Sequence, residues 1–176
     1  MSATKTLILG GVRSGKSRLA ERLATESLLP VTYIATATIE DEEMRERIVT
    51  HRVRRPEHWR VIEEPLQLAS VLTQQANNDH CLLVDCLTLW LTNLLVHSDT
   101  SRFDTERTAF LKALPYLTGK LILVSNETNM GVTPMGELSR RYCDEAGKLH
   151  QEIAHHCEQV VLTVAGLPLM LKGEHV

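Results

Sequence analysis

One short run near the start of the chain constrains its fold more than any other feature. Residues 10–17 read GGVRSGKS, which matches the pattern G-x-x-x-x-G-K-[ST]. The run follows an apolar stretch, Thr6–Leu9, and opens a helical pattern, Lys16–Thr25. Glycines let the backbone curl so that its N–H groups point inward, and the start of the following helix favours anionic oxygens. The sequence therefore predicts a strand, a phosphate-binding loop (P-loop) and a helix, in that order.

The side chains of this loop indicate that its ligand is a nucleoside triphosphate. We expect Lys16 to reach the β- and γ-phosphates and the Ser17 hydroxyl to coordinate Mg²⁺. A glycine turn that merely precedes Lys-Ser is the alternative, and the strand and helix on either side argue against it. The predicted nucleotide-binding residues here are Gly10, Gly11, Val12, Arg13, Ser14, Gly15, Lys16 and Ser17.

Apolar runs and helical patterns alternate along the chain. The predicted strands are Thr6–Leu9, Val31–Ala35, Trp59–Glu63, Cys81–Val84, Lys120–Ser125 and Gln159–Val164. The predicted helices are Lys16–Thr25, Asp41–Arg54, Leu66–Ala76, Leu87–His97, Thr105–Leu117 and Glu137–His156. Continuous apolar strands are typical of a parallel sheet that is covered on both faces. We expect an α/β fold of the P-loop NTPase type (RecA-like), with a mostly parallel sheet, helices on both faces and one domain over residues 1–176.

Charge and cysteine content narrow the class of protein. A net charge of −3 and a pI near 6.2 argue against general nucleic-acid binding. The four cysteines lack CxxC or zinc-finger spacing, which favours free thiols in a reducing cytosol. The longest nearly apolar run, Val160–Leu171, is shorter than the roughly 20 residues of a membrane helix. We expect a cytoplasmic protein without a membrane span.

A carboxylate follows the fourth predicted strand. Asp85 comes directly after Cys81–Val84, where a P-loop enzyme holds its second Mg²⁺ ligand. Ligands of open α/β sheets sit at the carboxyl ends of the strands, so the position suits this role. By itself, an Asp after an apolar run would more often be a helix cap or a turn residue. In the company of the P-loop, we favour the metal role.

A basic segment with one histidine is the second candidate for chemistry. Residues 47–59 read RIVTHRVRRPEHW, which places His51 beside Arg52, Arg54 and Arg55. Arginines neutralise phosphate charge, and an imidazole can attack an α-phosphate, release pyrophosphate and form a nucleotidyl-histidine. From the spacing alone, a solvated histidine on a charged helix is the more common case.

The motifs taken together resemble the bifunctional adenosylcobinamide kinase/adenosylcobinamide-phosphate guanylyltransferase family of cobalamin assembly. The similarity runs over nearly the whole chain. It includes LILGGVRSGKS at the start, YIATA at 33–37, RI-x-x-H-x-x-x-RP-x-x-W at 47–59, LLVDCLT from 82, VSNE-x-x-x-G at 124–131, and the late RRYCDEAGKLHQEIA and AGLPLMLK. The P-loop is common to many families, whereas the histidine segment in its company is far more specific.

The resemblance implies roles that the residues alone leave open. It implies that His51 becomes guanylylated and that adenosylcobinamide and its phosphate are the acceptors, with ATP or GTP feeding the kinase step. It also implies a small ring of three subunits. Beyond the P-loop, the GTP contacts that it implies are Ala35, Thr36, Ala37, Arg52, Val53, Arg54, Arg55, Glu63 and Asp85.

Two positions depart from the family pattern. The loop usually written Asn-Glu-Val-Gly-x-Gly reads NETNMG at 126–131, and His150 replaces an asparagine that is common before Gln151. These changes bear on the acceptor side rather than on nucleotide handling. Glu127 either orients the acceptor or a water, or only caps its loop. We interpret His155 and His156 as a solvated helix end, because adjacent residues of a helix point in different directions.

Two other functions remain as alternatives. A plain small-metabolite kinase would use the P-loop and Asp85 but leave His51 without a role. A GTP-binding switch should carry an Asn-Lys-x-Asp guanine reader, and the nearest segment, residues 126–129, lacks both the Lys and the Asp. We favour the two-activity transferase.

Overall fold

The computed structural model describes residues 4–38 and 56–174. Its strands are β1 (Thr4–Gly10), β2 (Val31–Ala35), β3 (Arg60–Glu63), β4 (Cys81–Asp85), β5 (Lys120–Asn126), β6 (Gln159–Val164) and β7 (Leu167–Lys172). Its helices are α1 (Lys16–Glu26), α2 (Leu68–Gln75), α3 (Leu87–Leu95), α4 (Ser101–Ala113) and α5 (Glu137–His156), with a 3-10 turn at Leu114–Tyr116. The predicted helix Asp41–Arg54 lies outside the described residues.

The strands form one sheet in the order β3-β2-β4-β5-β1-β6-β7. All neighbouring pairs are parallel except β6 and β7. The P-loop strand β1 therefore lies inside the sheet, with β5 on one side and β6 on the other. Gly10 lies opposite Asn126 and Thr163, and Ala35 lies opposite Glu63 and Asp85. The carboxyl ends of six strands thus meet at one edge, which is where an open α/β sheet binds ligands.

Successive residues of the inner strands enter two different cores. In β1, Leu7 and Leu9 join the larger cluster, which contains residues of α2, α3, α4 and α5. Ile8 joins the smaller cluster, which packs against α1. The two-residue period of a strand turns consecutive side chains to opposite faces, so a continuous apolar run is buried on both. The expected fold class, a mostly parallel sheet with helices on both faces, is confirmed.

Most predicted elements begin and end within a few residues of the observed ones. The strands at Val31–Ala35 and Gln159–Val164 and the helix at Glu137–His156 have the predicted bounds. The prediction for α4 was wrong at both ends. Asp99 accepts hydrogen bonds from the N–H and the hydroxyl of Ser101, which starts the helix four residues early. Pro115 cannot donate a helical hydrogen bond, and the chain tightens into the 3-10 turn there.

The edge strand β7 was absent from the prediction. It follows a tight turn in which Ala165 and Gly166 have positive φ angles of 53° and 81°, and it pairs antiparallel with β6. Its residues belong to the apolar run Val160–Leu171, but Leu167, Leu169 and Leu171 are exposed, so this strand is not buried on both faces as the inner strands are. Pro168 fits this position, because proline is tolerated at the edge of a sheet. Among the described residues, no helix is long and apolar enough to cross a membrane.

Candidate nucleotide-binding site

The P-loop curls over the carboxyl end of β1 through its own backbone. Ser14 N donates to Gly11 O at 3.2 Å, and Leu19 N donates to Gly15 O at 3.0 Å as α1 begins. Gly15 has φ 99° and Arg13 has φ 56°, two left-handed residues that reverse the chain within the loop. These conformations give the loop the curled path that the glycine pattern predicts.

Two glycines of the loop have no room for a side chain. A Cβ on Gly10 would lie 2.4 Å from Ser14 Oγ and 2.6 Å from Thr163 O. A Cβ on Gly15 would lie 3.0 Å from the Cα of Gly166, whose N–H donates to Ser14 O at 2.8 Å. The β6–β7 turn therefore supports the P-loop from behind, and AGLP after β6 is part of the site's structure although it carries no reactive group.

Lys16 lies over the loop that it belongs to. Its Nζ donates to Gly11 O at 3.0 Å. Burial lowers the pKa of Lys16. Electrostatic interactions with Cys86 and Asp85 raise it and so offset part of this effect. The Lys16 ammonium has therefore lost part of its hydration, and the protein offsets this loss only in part. Phosphate oxygens of a bound ligand would offset the remainder.

Asp85 ends β4 next to this lysine. Its Oδ2 accepts a hydrogen bond from the Tyr33 hydroxyl at 2.9 Å, and Tyr33 is itself buried in β2. The peptide bond from Asp85 to Cys86 is cis. Ser17, in the first turn of α1, supplies a hydroxyl. A carboxylate and a hydroxyl are hard oxygen donors of the kind that Mg²⁺ takes alongside water and phosphate, so the residues present fit this ion.

The loop after β2 is anchored to the loop after β4. Thr36 is buried, its hydroxyl donates to Cys86 O at 2.6 Å, and Cys86 N donates back to that hydroxyl at 2.9 Å. Asn93 of α3 donates to Thr36 O at 2.8 Å and to Pro65 O at 3.1 Å. One amide group therefore joins the segments after β2 and β3, and together with the Cys86 contacts it fixes the position of Thr36 relative to the loop after β4.

Glu63 stands at the end of β3, opposite Ala35 in register, and is exposed. It thus lies at the same edge as the P-loop but one strand beyond Asp85. The remaining predicted positions, His51, Arg52, Val53, Arg54 and Arg55, lie outside the described residues, and their roles stay predictions.

A cluster of polar side chains follows β5. Glu127 N donates to Gly10 O at 2.9 Å, which places this residue against the first glycine of the P-loop. Glu127 Oε1 accepts the N–H of Asn129 at 2.7 Å, and Oε2 lies 3.9 Å from Nδ1 of His150. His150 Nε2 contacts Ser125 Oγ at 2.8 Å. Burial lowers the pKa of His150, and the charge of Glu127 opposes this shift.

Sequence reasoning missed the part that His150 plays. No pattern in the sequence gives this histidine a partner, yet it is buried and touches the end of β5. The signal was its spacing, because Ala146 and Ile153, which are also buried residues of α5, lie four and three positions away. A histidine on the buried face of a helix must find polar partners. The sequence pattern gave its burial, but only the fold shows which partners it has.

A pocket of 430 Å³ opens beside this cluster, between α3, the segment after β5 and α5. Its lining includes Leu95, Val96, Thr128, Val132, Leu138 and Tyr142. Thr128 directly follows Glu127, so two consecutive residues contact the P-loop and line the pocket. The volume is within the range of small-molecule sites.

Several sequence interpretations concern residues outside this site. Trp59 is a core residue of the α1 face. All four cysteines are unpaired. Within residues 4–38 and 56–174, no group of three or more His, Cys, Asp and Glu residues could hold a metal ion.

The sheet order, the P-loop and the acid at the end of β4 define a P-loop NTPase of the RecA-like type. Solved structures agree on the fold. The RadB recombinase matches with a TM-score of 0.52 at 16% identity, over 90% of this chain and 73% of the recombinase. A Pyrococcus horikoshii OT3 protein matches with a TM-score of 0.55 at 12% identity, over 98% of this chain and 87% of that one.

Sequence comparison assigns the family. Residues 6–171 match the family described as cobinamide kinase / cobinamide phosphate guanyltransferase. The bifunctional adenosylcobalamin biosynthesis protein CobP of Pseudomonas aeruginosa is 65% identical over 170 residues, which are 97% of this chain and 98% of the relative. The protein named CobU in Escherichia coli is 37% identical over 94% of this chain and 98% of its own length. The chain belongs to the cobinamide kinase / cobinamide phosphate guanyltransferase family.

Proposed function

We propose that this protein phosphorylates adenosylcobinamide with ATP or GTP and then transfers GMP from GTP to the product, giving adenosylcobinamide-GDP. One observation carries the proposal: Lys16 and Asp85 meet at the mouth of a P-loop in a chain of this family. The relatives that it matches are named as bifunctional proteins of adenosylcobalamin biosynthesis. A phosphate cradle of this kind can present either the γ- or the α-phosphorus to an attacking group.

In the kinase step, the hydroxyl of the aminopropanol arm attacks the γ-phosphorus. The backbone N–H groups of Gly10–Ser17 and the Lys16 ammonium bind the phosphates and stabilise the charge that develops on them. Thr36, held by Cys86 and Asn93, keeps the loop after β2 in place for the nucleotide. Ser17 and Asp85 would hold Mg²⁺, which neutralises phosphate charge when it is bound.

In the second step, we propose that His51 attacks the α-phosphorus of GTP, releases pyrophosphate and passes GMP to adenosylcobinamide phosphate. The neighbouring Arg52, Arg54 and Arg55 would neutralise the triphosphate. Arginine beside an imidazole nucleophile suits a reaction in which negative charge builds up on phosphate oxygens.

The test combines product and protein analysis. The protein is incubated with GTP and adenosylcobinamide, and mass spectrometry reads the small-molecule products and any gain of one GMP on the protein. We expect both corrinoid products, and in His51→Ala we expect the phosphorylated product without the GMP adduct. Labelling of His51→Ala from α-labelled GTP at the parent level would contradict the role of His51.

The same experiment distinguishes the proposed function from the alternative, a plain small-metabolite kinase. A plain small-metabolite kinase would phosphorylate its acceptor without any protein adduct under turnover conditions. Asp85 and the P-loop serve both functions equally well, so the adduct is the observation that distinguishes them.

We also propose that residues 1–176 act as one catalytic domain, in the cytoplasm, and that subunits assemble into a trimer. The unbroken sheet from β3 to β7 supports the first point. The unpaired state of all four cysteines is typical of a reducing compartment. Light scattering on the purified protein tests the assembly, and a monomer would contradict it.

A further inference from the structure

Glu127 lies next to the P-loop and next to a residue that lines the 430 Å³ pocket. The backbone N–H of Glu127 contacts Gly10 O at 2.9 Å on one side, and the next residue, Thr128, lines the 430 Å³ pocket on the other. The charge of Glu127 also acts on Tyr142, which lines the pocket, so an acceptor held there would lie near this carboxylate. Asp85, whose charge acts on Lys16, accepts a hydrogen bond from Tyr33.

One carboxylate oxygen of Glu127 accepts a hydrogen bond, and the other faces the imidazole of His150. Its side chain is only 15% exposed. Oε1 accepts the Asn129 N–H at 2.7 Å, while Oε2 lies 3.9 Å from His150 Nδ1, a buried nitrogen that makes no hydrogen bond within the described structure. In the tautomer that donates from Nε2 to Ser125 Oγ, Nδ1 presents a lone pair towards the carboxylate.

Two proton acceptors that face each other without a proton between them can take up one proton and share it. A carboxylate and an imidazole at 3.9 Å are slightly beyond hydrogen-bond length, and a single added proton would draw them into a charge-assisted hydrogen bond. The buried Nδ1 would at the same time gain the partner that a buried polar atom requires.

We propose that Glu127 is the general base of the phosphorylation step and that His150 is a positioning residue that shares the proton Glu127 takes up. The inference rests on the proposed function. The O–H bond of the acceptor hydroxyl breaks, and its proton goes to Glu127 Oε2. The freed oxygen forms a bond to the γ-phosphorus, and the bond from that phosphorus to the bridging oxygen breaks, leaving a nucleoside diphosphate.

Tyr142 and Cys86 have raised pKa values, so both stay protonated at neutral pH. Burial raises the pKa of Tyr142, on the same helix as His150, to about 12. Burial also raises the pKa of Cys86, ahead of α3, to about 11. Cys143 of α5, whose carbonyl accepts the side-chain amide of Asn129, is the third titratable neighbour. Ser125 and Thr88, from β5 and α3, contribute neutral hydroxyls.

The first test compares Glu127→Gln with Glu152→Gln, an exposed residue of α5 that has the same charge change. Both are made in the His51→Ala background, so that only phosphorylation of adenosylcobinamide is read. Glutamine keeps an oxygen for the Asn129 N–H but cannot take up a proton. We expect Glu127→Gln to lower kcat by about 10² to 10⁴-fold, the usual contribution of a general base, with the KM for nucleotide unchanged.

In protein that retains His51, Glu127→Gln should still form the GMP adduct with GTP at the parent rate, because no acceptor hydroxyl takes part. A parent kinase rate in Glu127→Gln, with the parent protein active, would overturn the inference and leave the proposed function standing. A parent protein that phosphorylates no adenosylcobinamide would overturn both.

The second test reads His150 through the pH dependence of the kinase rate. His150→Gln retains a donor for Ser125 Oγ but removes one of the two sites that share the proton. We therefore expect the acid limb of the kcat profile to move to lower pH, since one site instead of two now binds protons. An unmoved limb would show that His150 only fills space, and it would overturn the relay. This readout also decides the matter if Glu127→Gln proves unstable.

Discussion

The loops after β1 and β5 lie side by side and are joined by one hydrogen bond, yet they are built in opposite ways. The P-loop after β1 is held by its own backbone and by glycines that leave no room for a side chain. The loop after β5 is held by side chains, with Glu127, Asn129 and His150 as its main contacts. A ligand that is the same in every reaction can be bound by fixed backbone groups, whereas the acceptor end needs groups that titrate.

The largest expected effect is on the backbone-held loop, where the Lys16 ammonium lies over the carbonyl of Gly11. Lys16→Ala should lower kcat/KM for phosphorylation and for GMP-adduct formation by about 10² to 10³-fold each, because both transition states lose a charge partner. Since burial lowers the pKa of Lys16, its removal should leave the free energy of unfolding equal or higher. Lys112→Ala, on the exposed side of α4, is the matched control. Loss of only one activity would show that the two reactions do not share the P-loop.

The next effect tests whether close packing holds the P-loop. In Gly10→Ala the new methyl group would lie 2.4 Å from Ser14 Oγ, so we expect a loss of about 1–3 kcal/mol in the free energy of unfolding. Gly11→Ala is the matched control for stability, because no atom lies within 4 Å of its Cβ position. Urea denaturation of both variants measures the difference. Equal stabilities would contradict the packing argument.

A third prediction extends the comparison to the loops after β2 and β3, which a side chain also holds. Asn93→Ala leaves the carbonyls of Thr36 and Pro65 without their donor, and we expect it to cost about 1–2 kcal/mol of stability. The KM for nucleotide should rise as well, since Thr36 follows β2 at the site. Gln74→Ala, whose amide only reaches Ser70 on an exposed helix face, is the control. A variant with parent stability and KM would show that the loops are held by other contacts.

The smallest expected effect is the pH dependence of stability that His150 contributes. Burial lowers its pKa below the ordinary 6.5, so an unfolded chain takes up a proton on this residue at a higher pH than the folded protein does. Stability is therefore lost as pH falls from 6.5 through the lowered value. His150→Gln should lose less stability than the parent between about pH 7.5 and about pH 5.5, measured by urea denaturation. An equal loss would place the titrating group elsewhere.

The comparison also separates what could be predicted from what could not. The P-loop was predicted with its neighbouring strand and helix, because a backbone-held loop depends on glycines at fixed spacing. Asp85 was placed correctly at the end of a strand, because a buried parallel strand is a continuous apolar run. The contact of His150 with Ser125 was not predicted, because the two residues are 25 positions apart and no local pattern joins them. The turn at Ala165 and Gly166 was missed for the same reason, since it acts only by touching Ser14 and Gly15.

The sequence by itself determined the phosphate-binding loop, the α/β class and the family, since local spacing and apolar periodicity are sufficient for the first two and the run of motifs for the third. The tertiary structure decided which strand lies beside which. It thereby decided that Glu127 meets the P-loop, that Asn93 joins two loops and that His150 faces a carboxylate. Those contacts depend on the strand order β4-β5-β1 and on how the helices pack over it, and these are properties of distant residues acting together.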